Sequence, residues 1–140
     1  PSAVLALKAT IHTNNRSIAA DDFFTGMFET ALEDDEIIES ISFSKPTKAN
    51  YVKFPNPASR YAMVGVFVAQ FGDEVRVAVT GAGEGGVFRH QEMESVLSSN
   101  FSADSLSSVN IDSDGLISDL HASAEYRANL IKEMTKRAVG

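Results

Sequence analysis

Apolar residues are densest from Tyr61 to Ala69, a run interrupted only by Gly65. Read with a period of two, it sends Tyr61, Met63, Phe67 and Ala69 to one face and Ala62, Val64, Val66 and Val68 to the other. A strand apolar on both faces must be covered on both. The turn signal Phe71-Gly72-Asp73 leads to a second run, in which Val75, Val77 and Val79 alternate with Glu74, Arg76 and Thr80, so part of one face of this strand meets water. The two runs predict a hairpin leading through the glycine-rich segment GAGEGG, Gly81 to Gly86, into a short helix marked by Phe88, Met93, Val96 and Leu97.

The flanking segments are shorter and less periodic. Pro1 and Ser2 open a turn of helix; Thr10 and Ile11 continue as a strand, and Ser17 to Ala19 return after an Asn14-Asn15 turn. Phe23, Phe24, Met27 and Phe28 predict a short helix or turn with a buried aromatic knot, although Gly26 weakens a long helix. The acidic run Glu33 to Glu36 reads as a solvated turn. Strands are expected at Glu36 to Phe43 and Ala49 to Phe54, read as pairing with each other, with Lys45-Pro46-Thr47 between them. A serine-rich loop with a helical turn near Asp104 to Val109 precedes the terminal helix, which Ser123 caps. Tyr126, Leu130, Met134 and Ala138 recur every fourth residue there, with Ile131 beside them. Tyr126 reads as a packing residue and Arg127 as a surface or loop-pinning donor, with a partner interface as the second reading.

Composition narrows the function classes. At 140 residues and 44% hydrophobic content, a packed core is within reach. A net charge of -7, with basic clustering seen only at Lys132, Lys136 and Arg137, argues against general nucleic-acid binding. The absence of cysteine excludes disulfides, thiolate catalysis and a protein-ligated iron-sulfur cluster within the chain, and a reducing cytoplasm is compatible with it. No secretory signal or membrane span is expected, and Pro1 reads as a cut point inside a longer protein.

Three patterns invite a chemical reading. Gly81, Gly83 and Gly86 fit G-x-G-x-x-G, which would aim backbone amides at a pyrophosphate, but no hydrophobic parallel strand ending in an acidic residue follows. Asn110, Asp112, Asp114 and Gly115 match the start of a calcium loop whose twelfth position is His121 rather than a bidentate carboxylate. His12, His90 and His121 fall in separate regions, and no nucleophile elbow accompanies the serines. Neither a catalytic constellation nor a metal-ligand set is expected.

Several runs together resemble one family. DDFFTGMFETAL, EIIESISF, YVKF, SRYAMVGVFVA, the VAVTGAG segment leading into FR, and ASAEYRANLIKEMTKRAV resemble, in order, the C-terminal part of the FAD-binding medium subunit of carbon monoxide dehydrogenase and of the xanthine dehydrogenase group of molybdenum hydroxylases. The resemblance implies that residues 1–34 are the tail of an FAD-binding domain. It implies that residues 35–140 are the family's α+β C-terminal domain, an antiparallel sheet of three or four strands packed with helices. It further implies FAD in the full subunit, with the molybdenum cofactor and iron-sulfur clusters on partner subunits, namely an iron-sulfur subunit and a molybdenum subunit. By position, Ile38 resembles an apolar residue packed near the flavin and Lys53 a lysine close to the isoalloxazine, where a cation favours anionic reduced flavin. The family's pyrophosphate-binding glycine segments have no counterpart here, so the chain alone is expected to bind FAD weakly or not at all and to be inactive. The competing expectation is a stand-alone α+β protein-interaction module without a redox role.

Overall fold

The computed structural model describes residues 1–140. In chain order the elements are α1 (Ser2–Ala6), β1 (Thr10–Thr13), β2 (Ser17–Ala19), α2 (Ala20–Phe23), β3 (Phe24–Gly26), β4 (Glu29–Thr30), β5 (Ile38–Ser42), β6 (Lys48–Pro55), β7 (Ala62–Phe71), β8 (Glu74–Gly83), β9 (Gly86–Arg89), α3 (Gln91–Ser99), a 3-10 helix (Ala103–Ser108) and α4 (Ala124–Val139). The centre is a four-stranded antiparallel meander ordered β6-β7-β8-β9. This is the α+β architecture with helices packed on an antiparallel sheet that the sequence implies.

The doubly apolar strand finds two covers. Val64, Val66 and Val68 of β7, with Val75, Val77 and Val79 of β8, form the main core with Met93 and Leu97 of α3 and Leu130, Ile131 and Met134 of α4. On the reverse face, Ala69 and Ala78 join Leu5, Ala6 and Ala9 of the α1 region, with Ile11, Ile18 and Phe23 behind them. Small residues at 69 and 78 let the short helix lie close to the sheet. Helices therefore cover both faces.

Three expectations give way. GAGEGG does not turn into a helix: Gly83 pairs with Gly86 and the segment closes a hairpin into β9, before His90 caps α3. The strand at 38–42 pairs with β1, not β6, completing a second sheet ordered β2-β1-β5, so the hydrogen bonding of the N-terminal unit extends through Ser42. The aromatic knot is only half made, because α2 ends after one turn and the chain reverses through β3 and β4. Phe23 is buried against Phe24, while Phe28 at the hairpin tip is fully exposed.

The acidic run is anchored rather than merely solvated. Glu36 is buried, receives Arg16 Nε at 2.8 Å and Arg16 Nη2 at 2.9 Å, and also accepts from Thr13 Oγ1 and Glu33 N. Donation from Arg16 and the Glu33 amide lowers its carboxyl to about 2. A depressed folded-state value gives stability that is complete above the ordinary carboxylate range and is lost as pH falls from 4.5 to about 2. Denaturant melts of Glu36→Gln should accordingly show a flatter acid limb than wild type across that window. An unchanged slope would remove Glu36 as its cause.

No helix is long and apolar enough to cross a membrane.

Candidate functional site

The meander leaves one part of its reverse face uncovered, next to the α1 cluster. Residues two apart on a strand share a face, so Tyr51 and Lys53 of β6 project together, while Val52 and Phe54 pack toward α4 and the main core. Across the ladder Tyr51 stands opposite Phe67, Lys53 opposite Gly65, and Gly65 opposite Thr80. The centre of this face is Gly65. A Cβ there would lie 2.5 Å from Tyr51 Oη and 3.1 Å from its Cε2, so the missing side chain is what lets the phenol lie across β7. The Tyr51 and Phe67 ring centroids are 6.3 Å apart and tilted by 33°. Tyr51 remains 42% exposed, and partial burial raises its phenol above the ordinary value, so it stays a neutral donor at physiological pH.

Lys53 is placed by its own hairpin. Its Nζ donates to Arg60 O at 3.0 Å. Arg60 adopts φ 64 at the end of a turn in which Asn56 Oδ1 accepts from Ala58 N and Ser59 N. The lysine is thus tethered at the rim of the platform. Ile38 lies elsewhere, on β5 in the other sheet, 39% exposed with Ile41, Ile37 and Phe43 also exposed around it. The two residues singled out from sequence are each at the surface, on different sheets. Sequence reasoning passed over Tyr51 and Gly65; the signal available was the glycine interrupting an otherwise unbroken apolar strand.

The remaining candidates resolve into structural roles. His12 bridges Ser17 Oγ and Ser42 Oγ across the small sheet, and His90 Nδ1 accepts from Met93 N as the cap of α3. Burial lowers the His90 pKa. Asp119 accepts from the amides of His121 and Ala122 and pairs with Arg127 at 2.8 Å. No three carboxylate, histidine or cysteine side chains converge as a metal site. Arg127 is buried, and its Nη1 donates to Met63 O at 2.7 Å and Gly81 O at 3.0 Å, so it pins the ends of β7 and β8 as a loop-pinning donor should. Tyr126 stays half exposed, edge-on to Phe54.

A relay of charges joins the four-stranded sheet to α1, α2 and α3. Glu94 on α3 binds Arg89, Arg89 reaches Asp21 at 3.1 Å, Asp21 binds Arg76 at 2.7 Å, and Arg76 Nη1 donates to Leu5 O. The Arg76 and Arg89 guanidiniums hold the Asp21 carboxyl below its ordinary value against the opposing effect of burial.

For a flavin, the fit divides. The face formed by Tyr51 and Lys53 over the buried Gly65 carries an aromatic ring and two donors, and suits the edge of a planar ring. The glycines that could have cradled a diphosphate are spent in an antiparallel hairpin, where a strand and not a helix N-terminus comes directly after them.

No protein-family model matches the chain. Its sequence is 33% identical over 153 aligned positions to the nicotine 6-hydroxylase medium subunit of Paenarthrobacter nicotinovorans, an alignment covering 99% of this chain and 54% of that protein. The crystal structure of quinoline 2-oxidoreductase from Pseudomonas putida 86 superposes with a TM-score of 0.74 at 24% identity, covering 99% of this chain and 52% of that one. The chain spans about half the length of each.

Proposed function

As the chain belongs to the medium-subunit family of the molybdenum hydroxylases, we propose that it forms about half of a flavin-carrying subunit and covers one side of the flavin. The observation supporting this is the exposed pair Tyr51 and Lys53 on one face of β6, with the Tyr51 ring lying over the buried Gly65. The flavin, when bound, would pass electrons between one-electron and two-electron carriers. This chain's own part is positional: Tyr51 offers a flat apolar ring with a neutral hydroxyl, and Lys53 offers a tethered positive charge that favours an anionic reduced ring electrostatically. Ile38 would supply apolar contact from the other sheet. Subunits bearing iron-sulfur clusters and the molybdenum cofactor would be the partners, and the chain by itself would be inactive, since it holds no diphosphate cradle.

The test is made in the full subunit. Gly65→Ala should displace Tyr51, a flexible side chain, with little loss of stability, and should alter the flavin absorption spectrum. Lys53→Ala should shift the flavin potential or its reoxidation rate. If both variants keep the wild-type spectrum, potential and kinetics, the platform is not at the flavin. Titrating FAD into the 140-residue chain should give no saturable spectral change at micromolar concentrations, and tight binding would show that a diphosphate site has been overlooked.

A further inference from the structure

We propose that the outer edge of the four-stranded sheet, from Lys45 to Tyr61, is a docking surface for a carboxylate-rich protein partner. The inference goes beyond the flavin reading and stands without it; where a flavin covers Tyr51 and Lys53, the edge left to the partner is carried by Lys45, Lys48 and Arg60.

The first observation is exposure. No residue from Ile37 to Ala62 is buried, although this stretch includes β6, an eight-residue strand hydrogen-bonded on one side only. Tyr61 is 80% exposed at the hairpin tip. The second is charge. Residues 40–72 hold Lys45, Lys48, Lys53 and Arg60 and no Asp or Glu, so this segment carries +4 in a chain of net charge -7, and the rest carries -11.

The third observation separates a docking surface from ordinary surface charge. Of the eight other Lys and Arg residues, six are ion-paired: Lys8, Arg16, Arg76, Arg89, Arg127 and Lys136. None of the four on this edge is. Lys48 Nζ donates to Val139 O and Lys53 Nζ to Arg60 O, each at 3.0 Å, contacts that orient the ammonium groups without neutralising them. An acidic chain has left its one uncompensated positive strip on an open strand edge flanked by exposed tyrosines. Edge lysines alone can serve to keep strands from pairing, but that purpose is met by charge of either sign and does not require carboxylates to be excluded over the whole segment. Opposite charge on a partner would fix its orientation and speed encounter.

The probe is a deca-glutamate peptide titrated into the isotopically labelled full chain at about 0.1 M salt, where a Debye length of about 10 Å limits repulsion by the distant acidic residues. Amide shifts should move between residues 45 and 61. Lys45→Glu/Arg60→Glu should weaken the interaction by about tenfold or more, and each single reversal should give part of that loss. Lys136→Glu/Arg137→Glu should leave it unchanged. Equal weakening by the terminal-helix pair, shifts centred elsewhere or no response would overturn the proposal, the last leaving these lysines as simple edge guards. An oligonucleotide of equal charge that moved the same amides at lower concentration would also overturn it, in favour of a nucleic-acid partner.

Discussion

Replacing Arg127 by methionine should cost the fold about 3 to 5 kcal/mol, the largest effect of any single polar substitution in the chain. The side chain is buried and spends its guanidinium on two main-chain carbonyls, Met63 O and Gly81 O, and on Asp119. Methionine fills much of the volume but removes the guanidinium donor from both carbonyls, each loss at about 1 to 3 kcal/mol. Asp119 is partly exposed and regains water, so its loss counts for less. Lysine would restore at most part of the set, because one ammonium cannot reproduce the planar fork. The urea midpoint should fall by about 2 M for a slope of about 2 kcal/mol/M. A loss below about 1 kcal/mol would mean that solvent reaches those carbonyls once the side chain is gone.

Gly81→Ala is expected to rival it, at about 3 kcal/mol. Gly81 has φ 80, where a side chain is strained in any surroundings, and a Cβ there would overlap the Ala62 carbonyl oxygen and crowd Met63 O. Both are backbone atoms of the neighbouring strand and cannot swing aside. Gly72 is the control: its φ is 63 but nothing lies within 4 Å of the position a Cβ would take, so Gly72→Ala should cost only about 1 kcal/mol. Because Gly81 O is also an Arg127 acceptor, the Gly81 and Arg127 losses should fall short of additivity when combined. Chemical denaturation of the three single variants and the Gly81/Arg127 double variant measures all of this in one series, and strictly additive losses would separate the two positions.

What was legible in the sequence was local. The two-faced apolar strand, its Gly72-Asp73 turn, the valine alternation of β8 and the stripe on α4 all follow from short-period patterns, and each appears where expected. What failed depended on partners distant in the chain. The alternation at residues 38–42 establishes a strand but not its neighbour, and β1 captures it from across the Arg16–Glu36 anchor, whose buried carboxylate looked like one more charge in a solvated run. GAGEGG satisfied a helix-leading motif by spacing alone, while the same glycines meet the needs of a tight antiparallel reversal. The platform around Gly65 was invisible for a related reason: a glycine in a strand announces close approach by something, and only the fold discloses that Tyr51 is what approaches. The resemblance named the family correctly from runs that are individually unspecific, since it relied on their order.

The bond from Arg76 to Leu5 O spans 71 residues, and that distance orders events during folding. The meander closes between neighbours in sequence, with low loop-closure entropy at each step, but α1 has no sheet to lie on until β7 and β8 have formed. The α1 segment, although earliest in this stretch, is therefore among the last to settle. Until it does, the Ala69 and Ala78 face is open to solvent, an apolar patch that invites aggregation while α1 is undocked.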